Sequence, residues 1–265
     1  MILIYKFTKW LMLPLLGKKA FQKLFKLLYY ISLDGLNYGK GSSIDTSGEL
    51  FLLIYLNRKL SSRKGKITLF DVGANIGDYT KRLAETFQKY EVEIFSFEPS
   101  AKTFKLLKEN IPADFIQAIN LGLGAKEENL KIYHNSLGSN YASIYEREDS
   151  EETEDIIITT LDIFCNDRSI EKISFLKIDI EGNEYNCLLG AQNLLNHKRI
   201  DFIQFEFGVS SIYARTYFKD IFDLLNINGY YVYRLLKDGF QQIQNYHHSQ
   251  EIFATTVYVA SAAKI

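Results

Sequence analysis

The stretch from Ile67 to Leu83, ITLFDVGANIGDYTKRL, restricts the possible folds more than any other part of the chain. It opens with a short apolar run, Ile67 to Val72, that reads as a buried parallel strand. The chain then breaks into a turn of small residues and resumes with a helical pattern from about Tyr79. Strand, glycine turn and helix in succession are the unit of an open α/β sheet. Gly73 and Gly77 lack a Cβ, so the backbone can turn tightly and a ligand can lie against it, while the first N–H groups of the helix point into the same space. A ligand held there sits at the carboxyl end of a strand, the usual binding position of such sheets.

A second apolar strand, Val92 to Phe97, ends on Glu98, about 20 residues beyond Gly77. At this place a nucleoside-binding sheet keeps a carboxylate for the two ribose hydroxyls. The glycines run Gly73-Ala-Asn-Ile-Gly77 and not G-x-G-x-x-G, which weighs against a nicotinamide dinucleotide. Asp71, Asn75 and Asp78 surround the turn with acceptors, an arrangement that repels pyrophosphate and favours an ammonium or sulfonium group. A ribose with a sulfonium points to S-adenosylmethionine.

Four segments in order, DVGANIGDYT, SFEPS, FLKIDIEGNEYNCLLGA and FIQFEF, resemble the FkbM-type family of S-adenosylmethionine-dependent methyltransferases over roughly Ile67 to Phe207. The resemblance implies an α/β, Rossmann-like class I methyltransferase sheet, mostly parallel with an antiparallel last strand, flanked by helices. It also implies O-methylation, often of a sugar or polyketide hydroxyl. In this fold Asn120, at the end of a third strand from Phe115 to Ile119, lies where adenine binds. As a turn residue ahead of Gly122 and Gly124, it has an equally good structural explanation.

The second half supplies candidate chemistry. Strand Ile173 to Ile178 ends at Asp179, followed by Glu181 and Gly182, and strand Ile200 to Phe205 ends at Glu206. Three acids at one rim are costly unless a cation, a proton or a hydrogen-bonding substrate joins them. Asp179 is the first candidate to orient an acceptor hydroxyl and take its proton, with Glu181 and Glu206 as orienting groups; fixing loops and helix ends is the alternative for each. Two further readings stay open: a divalent magnesium or manganese ion among these oxygens, and a non-catalytic methyltransferase-like binding module. Tyr246, His247 and His248 occupy a polar loop between two closing strands, Tyr230 to Leu235 and Ile252 to Ala260. Either histidine is a possible base at neutral pH, and a surface turn explains both as well.

With 265 residues the chain can bury one substantial α/β core without disulfides or metals. The net charge of −1 gives no field for a polyanion, which argues against nucleic acid as partner. Cys165 and Cys187, the only cysteines, offer no disulfide framework and fit a reducing, cytoplasmic setting. Residues 1–48 read as an N-terminal segment and connector, and 49–265 as the methyltransferase domain. Lys6, Lys9, Lys18, Lys19, Lys23 and Lys26 precede the first acid, Asp34. They interrupt the apolar run too early for a transmembrane helix, and no cleavage site follows. Phe21, Leu24, Phe25, Leu28 and Ile31 recur at helical spacing, suiting a helix that caps the sheet or, less favoured, lies on an anionic membrane.

Asp34 to Ser47 reads as an irregular connector, a lid or disordered. Thr46 with Glu49 makes a capping box for a helix through Leu50, Leu53 and Ile54. Between Gly124 and Leu161, two short strands bracket an insertion. Within it Glu146 to Asp155 reads as a solvated acidic loop, and Ser139, Asn140, Tyr141 and Ser143 as polar groups near the cofactor mouth. The resemblance implies a small-molecule or glycan hydroxyl as the acceptor.

Overall fold

The computed structural model describes residues 2–41, 43–62, 65–111, 114–135, 142–148 and 150–265. Apolar runs rich in Ile, Val and Phe become strands buried on both faces, as parallel sheets require. In chain order the strands are β1 Ile67–Val72, β2 Val92–Phe97, β3 Ile116–Ile119, β4 Gly122–Leu123, β5 Glu128–Asn135, β6 Ala142–Ser143, β7 Ser150–Thr159, β8 Ile173–Ile178, β9 Ile200–Phe207, β10 Tyr231–Leu236, β11 Gly239–Ile243 and β12 Thr256–Ser261. The main sheet has the order β3-β2-β1-β8-β9-β12-β10-β11. Its first five strands are mutually parallel, and β12 enters antiparallel to β9. The order reverses between β1 and β8, the switch point at which open α/β sheets bind ligands. β11, a hairpin partner of β10, lies inside what the sequence suggests is only a polar loop.

Side-chain alternation splits the core between the two faces. Phe70, Val72, Leu176, Ile178, Ile203 and Phe205 pack on one face with helices 161–167, 184–189 and 218–227. Leu69, Phe175 and Phe202 pack on the other with helices 49–60 and 78–87. On this second face the alternation also aligns Ser96, Asp71, Lys177 and Gln204 on neighbouring strands. The result is a buried polar rung across four strands, one step before the carboxyl ends of β1, β2 and β8 and three before that of β9.

The insertion is a second sheet of order β4-β7-β5-β6. The acidic run is no loop: from Ser150 onward it is β7. Glu154 accepts hydrogen bonds from Ser100 Oγ (2.7 Å) and the Ala101 N–H (2.6 Å), and Glu152 pairs with Lys102 (2.6 Å). Alternating carboxylates thus meet the start of helix 101–110, where charge repulsion is relieved by donors.

Thr46 does not cap the next helix. It lies in the short helix Ile44–Ser47, Gly48 precedes helix Glu49–Leu60, and Glu49 is buried and accepts from Ser47 Oγ and Gln204. The connector ahead of it is anchored. Asn37 Nδ2 donates to the carbonyls of Ser47 and Leu235, and the Gly41 N–H donates to Thr255 O. Helices Ile2–Met12 and Gln22–Gly35 precede it, and the second buries none of its side chains. The expected cap on the sheet is therefore absent: Leu52, Leu53 and Leu56 of helix 49–60 already fill that face.

Candidate active site

The turn after β1 departs from ordinary backbone at Gly73 (φ 80°) and Gly77 (φ 93°), and a Cβ on Gly73 would lie 1.9 Å from the Asp179 carbonyl oxygen. Asn75 also has positive φ, and its N–H donates to Glu98 Oε2 at 3.1 Å. Glu98 Oε1 accepts from the Ser100 N–H at 3.0 Å. Burial pushes the Glu98 carboxyl up to about 7, against the lowering effect of those two N–H groups. The turn and Glu98 line a cavity of about 630 Å³ at the carboxyl end of the sheet, together with Asp179, Glu181, Glu206 and Arg147. A smaller cavity of about 190 Å³ shares Gly41, Asp179 and Glu206 and adds Glu49, Tyr79, Lys177 and Gln204.

The three rim acids are accommodated in three ways. Asp179 Oδ2 lies 3.2 Å from Lys177 Nζ, which is also 3.4 Å from Asp71 Oδ1 and above the Tyr79 ring. Burial opposes the charge on Lys177, yet Asp179, Asp71 and Glu49 together hold its pKa above the ordinary lysine value. Glu181 Oε2 accepts from Arg147 Nη2 at 2.9 Å, with both side chains largely buried. The Glu206 carboxyl is pushed well above its ordinary value by burial and then by the charges of Asp179, Glu184 and Glu181. Among the described residues no group of His, Cys, Asp and Glu side chains is arranged to hold a metal ion. Of the oxygens considered for magnesium or manganese, Asp179 Oδ2 faces Lys177 and Glu181 Oε2 faces Arg147.

Gly73, Asn75, Glu98, Asp179, Glu181 and Glu206 thus line one cavity. Asp71, Gly77, Asp78 and Asn120 do not. Asp71 is fully buried beneath the turn, accepting from Thr80 Oγ1 at 2.7 Å, because alternation turns it onto the helix-covered face. Gly77 starts helix Asp78–Phe87, and Asp78 points to solvent beside Lys81. Asn120 Nδ2 donates to the carbonyls of Glu98 and Pro99, so its amide is used to fix the turn below the cavity. His247 caps a short turn through Ser249, and neither His247 nor His248 lines the cavity. Of the polar insertion cluster, Ser143 is buried and donates to Glu181 O. Ser139, Asn140 and Tyr141 lie outside the described residues.

The sequence profile of the Methyltransferase FkbM domain matches residues 71–232, from the buried aspartate of β1 into β10. The chain belongs to the FkbM methyltransferase family. Among curated proteins none matches. Among solved structures, methyltransferase FkbM from Methylobacillus flagellatus KT is similar at 19% identity over 75% of this chain and 45% of that one, with a TM-score of 0.43. A SAM-dependent methyltransferase from Agrobacterium tumefaciens is similar at 9% identity over 81% and 62%, TM-score 0.45. Precorrin-6y C5,15-methyltransferase from Geobacter metallireducens GS-15 is similar at 11% identity over 86% and 96%, TM-score 0.41. The chain therefore spans less than two thirds of the length of the first two.

Several residues of this FkbM domain escape the sequence reading. Lys177 left a visible signal, a lysine inside the apolar run FLKI. Glu184 left less: its carboxylate is buried and accepts the N–H groups of Ile180 (2.9 Å) and Gly182 (3.3 Å), holding the turn that presents Asp179 and Glu181. Burial lifts its pKa to about 7. Arg147 comes from the insertion, and nothing in the local pattern ties it to Glu181, 34 residues away.

Proposed function

We propose that the larger cavity binds S-adenosylmethionine and that the protein transfers a methyl group to a hydroxyl, of a sugar in a cell-surface polysaccharide or of another glycoconjugate or secondary metabolite. The observation that carries this reading is that one cavity joins the glycine turn and Glu98 to Asp179, Glu181 and Glu206. The donor set fits the cofactor. Glu98 keeps lone pairs for ribose hydroxyls beside its two backbone donors, and the bare Gly73 backbone allows close approach. When bound, S-adenosylmethionine supplies a methyl group already activated by the sulfonium charge.

The chain's own residues then have three tasks. Lys177 holds the Asp179 carboxylate, whose side chain remains 41% exposed and able to accept from an acceptor hydroxyl and take its proton. Glu206, whose burial favours the neutral carboxyl, hydrogen-bonds a neighbouring hydroxyl of the same acceptor. Arg147 pairs with Glu181 and opposes the effect of burial on its carboxyl, so a negative charge there has its counter-charge at 2.9 Å. Positioning supplies most of the rate, since the methyl donor needs no further activation. Cys165 and Cys187 are both buried free thiols, in keeping with a cytoplasmic site of action.

Calorimetric titration with S-adenosylmethionine tests the reading. Wild type should bind saturably, and Glu98→Ala should lose at least about tenfold in affinity, the worth of a charge-assisted hydrogen bond. Ribose hydroxyls favour ionised Glu98, so wild-type affinity should rise from pH 6 to pH 8 through the value of about 7, and the variant should lose that dependence. In an acceptor screen on nucleotide sugars and glycans, Asp179→Asn should lower kcat about a hundredfold while retaining cofactor binding. A folded wild type that neither releases heat nor gains thermal stability with the cofactor overturns the proposal.

A further inference from the structure

The two N-terminal helices carry a pattern the methyltransferase site does not use. Leu24, Leu27, Leu28 and Ile31 recur at i, i+3, i+4 and i+7 and form one stripe of helix Gln22–Gly35, the spacing that normally faces a core. Here the stripe faces outward, with exposures of 41%, 55%, 38% and 57%. Phe7, Trp10, Leu11 and Leu13 of the preceding segment are more than half exposed as well. Lys6, Lys9, Lys18, Lys19, Lys23 and Lys26 are exposed among them, and no acidic residue precedes Asp34. An apolar area of this extent left in water marks a docking surface. No helix among the described residues is long and apolar enough to cross a membrane.

We propose that residues 6–31 lie on an anionic lipid bilayer, with the leucine stripe and Trp10 in the headgroup and acyl boundary and the lysines against lipid phosphates. Charge selects this occupant. A second copy of the chain would bring six lysines against six lysines, whereas an anionic leaflet attracts each of them. The apolar side chains contribute burial and the cations contribute lipid selectivity, the two signals that stable peripheral attachment needs. This inference stands apart from the cofactor reading and does not depend on it.

Trp10 is the sole tryptophan, so its emission reports the segment directly. Titrating the full-length protein with vesicles of phosphatidylcholine containing about one third phosphatidylglycerol should shift the emission to the blue and float the protein with the vesicles. Pure phosphatidylcholine vesicles should do neither, and added salt should weaken the effect. Replacing Lys18, Lys19, Lys23 and Lys26 together by Gln should lower the partition coefficient at least about a hundredfold. Leu24→Asn with Leu28→Asn should abolish the blue shift. These side chains are exposed, so the variants should keep the wild-type melting temperature and cofactor binding. Unshifted emission with anionic vesicles overturns the proposal. So does equal binding to neutral vesicles, or a blue shift that follows protein concentration without lipid, which would assign the stripe to self-association.

Discussion

At the level of single residues, the site is a problem of charge placement. Asp179, Glu181 and Glu206 are tolerated side by side because Lys177 faces one, Arg147 the second, and burial biases the third toward its neutral form. Lys177 therefore has a structural cost attached to its removal. Lys177→Met leaves Asp71 buried without its cation and should cost about 3–5 kcal/mol in urea denaturation, part of it recovered by adding Asp71→Asn. Glu98 gives a different signature. Its folded pKa of about 7 lies above the ordinary 4.5, so the unfolded chain loses this proton first and stability falls as pH rises between those values. The melting temperature of Glu98→Gln relative to wild type should accordingly climb from pH 5 to pH 8; a difference independent of pH would show that Glu98 is not held protonated by burial.

At the level of elements, the turn after β1 is set by contact as much as by conformation. Gly73→Ala drives a Cβ into the Asp179 carbonyl at a positive φ, whereas Gly65, with φ 94°, has open space around it. Both substitutions carry left-handed strain of about 1–2 kcal/mol, and only Gly73→Ala should add a clash, lost cofactor binding and a clearly larger fall in melting temperature. These central elements are the ones legible in sequence. β1, β2 and β8 are bounded by apolar runs and by glycine or carboxylate stops, so local pattern determines them. β7 is not legible because its acids are relieved by donors at the start of helix 101–110, a partner distant in sequence. Asp71 and Asp78 flank the turn in sequence, but alternation and exposure turn their side chains away from the cavity.

At the level of the whole molecule, the chain divides by burial near Leu36. Asn37 and Tyr38 are buried against the main sheet, and Gly41 lines both cavities, while helix Gln22–Gly35 buries nothing. Trypsin should therefore cut first at Lys18, Lys19, Lys23 and Lys26, leaving a core that starts before Asn37 and still melts cooperatively. Early loss of the connector, or of the fold itself, would contradict that division. The anchored connector also limits distance. Ile31 and Gly41 are ten residues apart, a contour of at most about 35 Å. With the stripe on a bilayer, the cavity wall stays within that reach of the lipid surface, so a membrane-tethered acceptor would be met only within about that distance of its anchor.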